Sequence, residues 1–236
     1  MFKKLTARLK VNSTRSYLDL FAKAAALKTP AGGVVLDAGA GHCPYKNHFS
    51  HAVYESADFC EIKKAYGEIT HICSLTAIPV EDSRYDLVFC SQTLEHVPEP
   101  KCVLQEFHRV LKHGGELWLT APFFFTEHEI PHDFYRYTQY GFTYLLETTG
   151  FSVKKIEWLE GYYGTLAYQL QVASRALSIN PKHYGNGAIG IASVIMVFLL
   201  KPLFMVASWL FSNLDLRYKF TGSGQCKNYA IVAIKK

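Results

Sequence analysis

The sequence predicts an α/β fold: a doubly wound, mostly parallel sheet with helices on both faces, and a helical hydrophobic insert ahead of the last strand. Three observations predict it. Between residues 31 and 160, short apolar runs of strand length alternate with stretches of helical periodicity, the signature of parallel strands joined by crossover helices. The first of these runs, Val34-Val35-Leu36, passes directly into Asp37-Ala38-Gly39-Ala40-Gly41, a tight glycine turn at a strand end. From Gly161 to Leu214 the chain contains no Asp or Glu. Charge returns at Asp215, and Tyr229 to Ile234 then reads as a closing strand.

The elements follow in order. A basic helical arm covers residues 1–30, in which Lys3, Lys4, Arg8, Lys10, Arg15, Lys23 and Lys28 face Asp19 alone. Its Leu18, Leu20, Phe21 and Leu27 are expected to pack on the domain, and the interrupting cations leave no signal-peptide core. The core covers residues 31–160. Its strands are expected at Val34–Leu36, Val53–Ala57, Ile69–Cys73, Asp86–Cys90, Glu116–Ala121 and Phe151–Trp158. Pro44 is placed to start a helix. Val103, Leu104, Phe107, Val110 and Leu111 fall at helical spacing, with Gly114-Gly115 as the stop, and Gly150 ends a later helix through Leu145 and Leu146. The insert covers residues 161–220, and residues 221–236 return the last strand to the sheet.

Composition narrows the function. The 236 residues are 49% hydrophobic and 19% charged, which supports a packed core and excludes disorder. Six cysteines without a C-x-x-C exclude a zinc ribbon and a disulfide framework, and fit a reducing compartment. The net charge of +5 comes from the arm. No Asn-Pro-Pro-Tyr segment follows the fourth strand, where Ser91-Gln92-Thr93-Leu94-Glu95-His96 stands, so a nucleic-acid partner is not expected.

The glycine turn and Asp58, 21 residues after Asp37 at the end of the second strand, form a nucleoside site in which the acid accepts ribose hydroxyls. Pro44 occupies the place of a third glycine, and Asp37 would repel a pyrophosphate. A carboxylate in that loop suits a cationic ligand, and S-adenosylmethionine (SAM), with its ammonium and sulfonium, fits.

These residues, with Ser83-Arg84-Tyr85-Asp86-Leu87-Val88, Leu94-Glu95-His96-Val97 and Arg109-Val110-Leu111-Lys112-His113-Gly114-Gly115, resemble the class I SAM-dependent methyltransferases, in particular the small-molecule branch that includes quinone-biosynthesis enzymes. The resemblance implies a Rossmann-like sheet of seven strands, the last antiparallel. It implies that Asp37, Gly39 and Gly41 face the methionine part of SAM and that Asp58 holds the ribose. Ser74 and Leu75 would border the adenine, where the family usually reads Asp-Leu, and Ser91 and Gln92 the sulfonium.

Transfer to a hydroxyl or amine needs a base beside the methyl carbon. His132, His128 and His96 are the candidates, with Asp133 and Glu95 to orient them; no metal is expected. Asp133 could instead cap the following helix. The aromatics from Phe123 to Tyr144 could wall an apolar acceptor pocket.

The apolar run 188–211, interrupted at Lys201-Pro202, leaves three uses open: docking on a membrane surface, a lid or dimer face, or a true span. The expected whole is a cytoplasmic SAM-dependent methyltransferase, peripheral at the inner face of a membrane, that methylates oxygen or carbon of a small or lipid-linked acceptor. The alternative is a catalytically silent methyltransferase-like binding protein tethered there.

Overall fold

The computed structural model describes residues 12–62, 65–185 and 187–236. The part of the basic arm before residue 12 therefore lies outside the described residues. The chain forms two compact units: a sheet unit of Tyr17–Leu159 with Asn228–Lys236, and a helical unit of Met1–Ser16 with Glu160–Lys227.

The sheet unit contains seven strands: β1 (Val34–Ala38), β2 (Val53–Asp58), β3 (His71–Ile72), β4 (Tyr85–Ser91), β5 (Leu111–Pro122), β6 (Phe151–Trp158) and β7 (Asn228–Lys235). Their order is β3-β2-β1-β4-β5-β7-β6. β1 to β5 pair in parallel, and β7 runs antiparallel between β5 and β6. The expected mixed sheet of seven strands is therefore present. The chain leaves β1 on one side toward β2 and β3 and on the other toward β4, so the order reverses between β1 and β4, the crevice where such sheets bind ligands.

Helix α1 (Ser13–Lys28) lies against one face of the sheet. Ala22 and Ala25 are fully buried against Val35, Phe49 and Phe89, and Phe21 rests 4.9 Å from the Trp118 ring. Leu20 and Leu27, expected inward, point to solvent; small alanines let the helix approach closely and take the inward face. Helix α2 (Pro100–Val110) buries Val103, Leu104, Phe107 and Val110 as its spacing predicts. It ends at Val110 rather than at the Gly pair, because Leu111 already pairs with Tyr85, and the residues before Glu116 form a bulge in β5. Helix α3 (Gln139–Thr148) is capped by the Thr138 hydroxyl, which accepts from Gly141 N at 3.0 Å, and not by Asp133. Beyond Pro44 the chain forms only a 3-10 turn, Lys46–Phe49, where a helix was expected. The third strand is two residues long instead of five.

The motif residues from Arg84 to Asp86 fasten the sheet. Arg84, Tyr85 and His71 all bond the Glu55 carboxylate, Tyr85 at 2.7 Å and His71 at 2.9 Å. Asp86 accepts from Val34 N and from Lys112 Nζ, each at 2.8 Å, tying β4 to its neighbours on both sides.

In the helical unit, α4 (Tyr162–Ala176) packs against α5 (Gly187–Arg217). Pro202 does not divide α5, which is one continuous helix rather than two. Lys201 beside it reaches the end of α4: its Nζ donates to Leu177 O at 2.6 Å, and its own carbonyl accepts from Ser174 Oγ at 3.1 Å. Ser208 Oγ donates to Ala167 O at 2.7 Å. The buried side of α5 carries Gly190, Val197, Ser208, Ser212 and Asp215, while Ile191, Ile195, Phe198, Leu199, Leu203 and Val206 are exposed. At about 100° per residue these six exposed positions cover roughly 140° of the helix surface.

Candidate cofactor and active site

A cavity of about 520 Å³ opens at the carboxyl ends of β1 to β4, a size ordinary for a small-molecule site. Gly39 stands at its mouth after β1, Asp58 and Phe59 after β2, Ser74 and Leu75 after β3, and Gln92 and Thr93 after β4. Gly39 has φ +76°, and a Cβ there would run into the Thr93 side chain at 2.1 Å, so only glycine fits. Asp58 is buried and pinned: Gly41 N donates to its Oδ2 at 2.9 Å and Cys60 N to its Oδ1 at 3.1 Å. Each oxygen keeps a lone pair for a further donor. Ile72 and Leu75 supply an apolar wall for a flat ring.

Of the residues expected around the cofactor, Gly39, Asp58, Ser74 and Leu75 line this cavity, and Gln92 joins them. Asp37, Gly41 and Ser91 do not. Asp37 is buried and accepts from Tyr54 Oη at 2.5 Å. Burial pushes its carboxyl up to about 7, and the nearby Asp58 charge adds to the rise, although the Tyr54 bond opposes it. Gly41 contributes through its N–H to Asp58, and Ser91 Oγ pairs with Thr120 Oγ1 at 3.0 Å. Tyr54, Thr93 and Phe59 were not expected. The β1–β2 register pairs Asp37 with Ser56, which places Tyr54 diagonally opposite Asp37, so the register was the signal for that contact.

The second constellation converges as its loops predict. Phe134 N and Tyr135 N both donate to the Glu95 carbonyl, fastening the 128–137 loop to the turn after β4. His96 Nδ1 bonds His132 O at 2.5 Å, and the His96 and His128 rings meet edge to face at 4.6 Å. Burial, with the neighbouring His128 as a further cause, lowers the His96 pKa, so its ring is neutral near pH 7. His96 and His132 line the cavity, whereas His128 and Asp133 stand behind them. Asp133 is not free to act as a base. Arg136 grips both its oxygens at 2.7 and 2.8 Å and holds it well below the usual carboxylate range. Glu95 is fully buried, its carboxylate oxygens have no hydrogen-bond partner among the described residues, and burial pushes its pKa up to about 8.

Glu95, His96 and His128 each present a ligand atom within 4.8 Å of the others, a donor set that could hold a divalent cation. None of the aromatics from Phe123 to Tyr144 lines the cavity. Tyr137 and Phe142 are core, 4.6 Å apart, and Phe59 supplies the cavity's aromatic wall.

A seven-stranded sheet of this order, with a glycine turn after β1 and a pinned acid after β2 beside an apolar ring pocket, is the Rossmann-like fold shared with solved methyltransferase structures. Residues 36–119, about a third of the chain, match the family model described as "Methyltransferase domain". Over 38 residues the chain is 43% identical to a ubiquinone biosynthesis O-methyltransferase of Pseudomonas paraeruginosa; the match covers 16% of this chain and spans 16% of the relative. Two solved structures share the fold. The [4+2]-cyclase SpnF has TM-score 0.56 and 16% identity, covering 92% of this chain and 81% of its own. Geranyl diphosphate C-methyltransferase from Streptomyces coelicolor A3(2), in complex with Mg2+, geranyl diphosphate and S-adenosyl-L-homocysteine, has TM-score 0.56 and 12% identity, covering 94% of this chain and 79% of its own.

Proposed function

We propose that the chain transfers a methyl group from SAM to oxygen or carbon of a small or lipid-linked acceptor, working at the cytoplasmic face of a membrane. The observation that carries this reading is the cavity between β1 and β4, with Asp58 pinned in it and His96 and His132 on its wall. SAM, when bound, supplies an electrophilic methyl group on its sulfonium. Asp58 accepts the ribose hydroxyls from a carboxylate already oriented by two N–H groups, so little ordering remains to be done on binding. Ile72, Leu75 and Phe59 exclude water from the apolar part of the cavity. His132 takes the acceptor proton, and neutral His96, bonded to the His132 carbonyl, fixes the loop from which it acts.

The exposed apolar arc of α5 supports the membrane. The helix spans 31 residues, about 46 Å at 1.5 Å per residue, and is apolar enough to cross a bilayer. The relative named for ubiquinone biosynthesis and the neighbour solved with geranyl diphosphate favour an acceptor with an apolar body.

The experiment is transfer of label from methyl-tritiated SAM into a lipid extract by the full chain. Wild-type protein is expected to label an extractable product, and His132→Ala to slow labelling by roughly 10²-fold or more while SAM still binds. Absence of transfer with SAM bound would favour a silent binding protein. The donor set of Glu95, His96 and His128 favours a second reading, in which a divalent cation orients the acceptor. Loss of labelling in a chelator, restored by added metal, selects that reading; labelling that survives selects the metal-free base.

A further inference from the structure

We infer that the helical unit holds a second binding site, for a phosphate group, in the polar cavity bounded by the start of α1, α4 and α5. The cavity measures about 440 Å³ and is walled entirely by residues of that unit. Its α4 wall is one helical face, since Gly164, Tyr168, Gln171 and Arg175 follow at intervals of four, three and four. Ser208 and Ser212, one turn apart, form the α5 wall.

Two cations reach this space, and no carboxylate lines it. Lys227 is 6% exposed, and its ammonium sits 4.7 Å from the Tyr168 ring centroid. Burial lowers its pKa, opposed by the charge of Glu160 and reinforced by that of Arg15, so Glu160 offsets part of the Lys227 charge. Arg175 makes no ion pair among the described residues. The first turn of α1 places the Ser13 and Thr14 N–H groups at the positive end of a 16-residue helix, the next two, of Arg15 and Ser16, being taken by Asn12 at 3.3 Å each. The other acid nearby, Asp215, is fully buried, and burial raises its pKa, opposed by the neighbouring Gly164 N–H, Ser13 hydroxyl and Gly161 N–H. A guanidinium, an ammonium, the Gln171 amide and helix N–H groups converging from three sides suit an oxyanion with several acceptor oxygens, hence phosphate.

The placement gives the site a purpose. A helix that turns its apolar side chains outward and its serines inward builds a polar chamber within an apolar exterior. A phosphate carried on a lipid would be drawn to such a chamber with its tail along α5; a free phosphate would use the same donors.

The test is calorimetry on the full chain in neutral detergent, with inorganic phosphate and with dihexanoyl phosphatidic acid as separate probes. Saturable binding of at least one is expected. Arg175→Gln and Gln171→Glu, both at exposed helix positions, should each weaken it by roughly tenfold or more while SAM affinity, read in the same samples, stays at the wild-type value. Equal binding of both probes identifies free phosphate as sufficient, and tighter binding of the short lipid identifies the headgroup. If neither probe binds, or if both variants bind as wild type does, the site does not exist. None of these readouts uses methyl transfer, so failure here leaves the proposed activity untouched, and the reverse.

Discussion

The sheet unit and the helical unit are built from similar apolar side chains placed on opposite sides. In the sheet unit Val35, Leu36, Val88, Phe89, Leu104 and Phe107 are wholly buried, and the strand edges are closed by ion pairs such as Asp86–Lys112. In the helical unit Ser174, Ser208, Ser212 and Asp215 are buried, while Phe198 is 62% and Leu199 64% exposed. Burial of apolar surface away from water drives the first arrangement. In the second, small and hydroxyl side chains let α4 and α5 approach and bond, and the large apolar groups are left exposed. On the proposed membrane reading, the two units of one chain face different solvents.

The largest expected effect breaks that contrast directly. Replacing Ile195, Phe198 and Leu199 by Glu, Lys and Glu removes three exposed apolar side chains, each worth roughly 1.5–3 kcal/mol when buried. Partitioning into vesicles, read by flotation, should fall about a thousandfold with SAM affinity unchanged. Retained partitioning would return α5 to a lid or dimer face, and light scattering would separate those two. Next comes packing. Phe89→Ala should cost about 3–5 kcal/mol in urea denaturation of the sheet unit, whereas Phe198→Ala should change stability by less than about 0.5 kcal/mol.

A smaller effect concerns pH. Glu95 and Asp37, raised to about 8 and about 7, have folded pKa values above their unfolded ones. Their contribution is complete below about pH 4 and is lost as pH rises through the folded values, so the denaturation midpoint should fall between about pH 5 and 8, by on the order of a few kcal/mol. Glu95→Gln should flatten that slope. Glu55 works in the opposite direction. Burial raises it, but bonds from Arg84, His71 and Tyr85 prevail and hold it near 2, so its contribution is lost only as pH falls from about 4.5 toward 2. A small effect is expected at the α4 end: Lys201→Met removes one bond to Leu177 O and should lower the stability of the helical unit by about 1 kcal/mol.

Most of the sheet was legible because strands and helices there obey a single period each, as in Val103, Leu104, Phe107 and Val110 of α2. The β1–β4 cavity was legible where chain distance fixes position, as for Gly39 and Asp58, which line it. It was less so for Asp37, whose carboxylate turns to Tyr54, because that contact depends on strand register, which no local pattern states. The histidine cluster was legible as two loops on one sheet edge. The pairing that removes Asp133 from acid–base work was not, although Arg136 stands three residues on. Continuity of α5 through Pro202 was hidden for a related reason: the compensating bonds of Lys201 and Ser174 come from another helix.

Asp58 and the turn after β1 are proposed to hold a nucleoside, and a crystal structure with S-adenosyl-L-homocysteine is the direct test. The account predicts density in the β1–β4 cavity with both ribose hydroxyls within hydrogen-bond distance of Asp58. Density placed elsewhere, or a ribose turned away from Asp58, would contradict it.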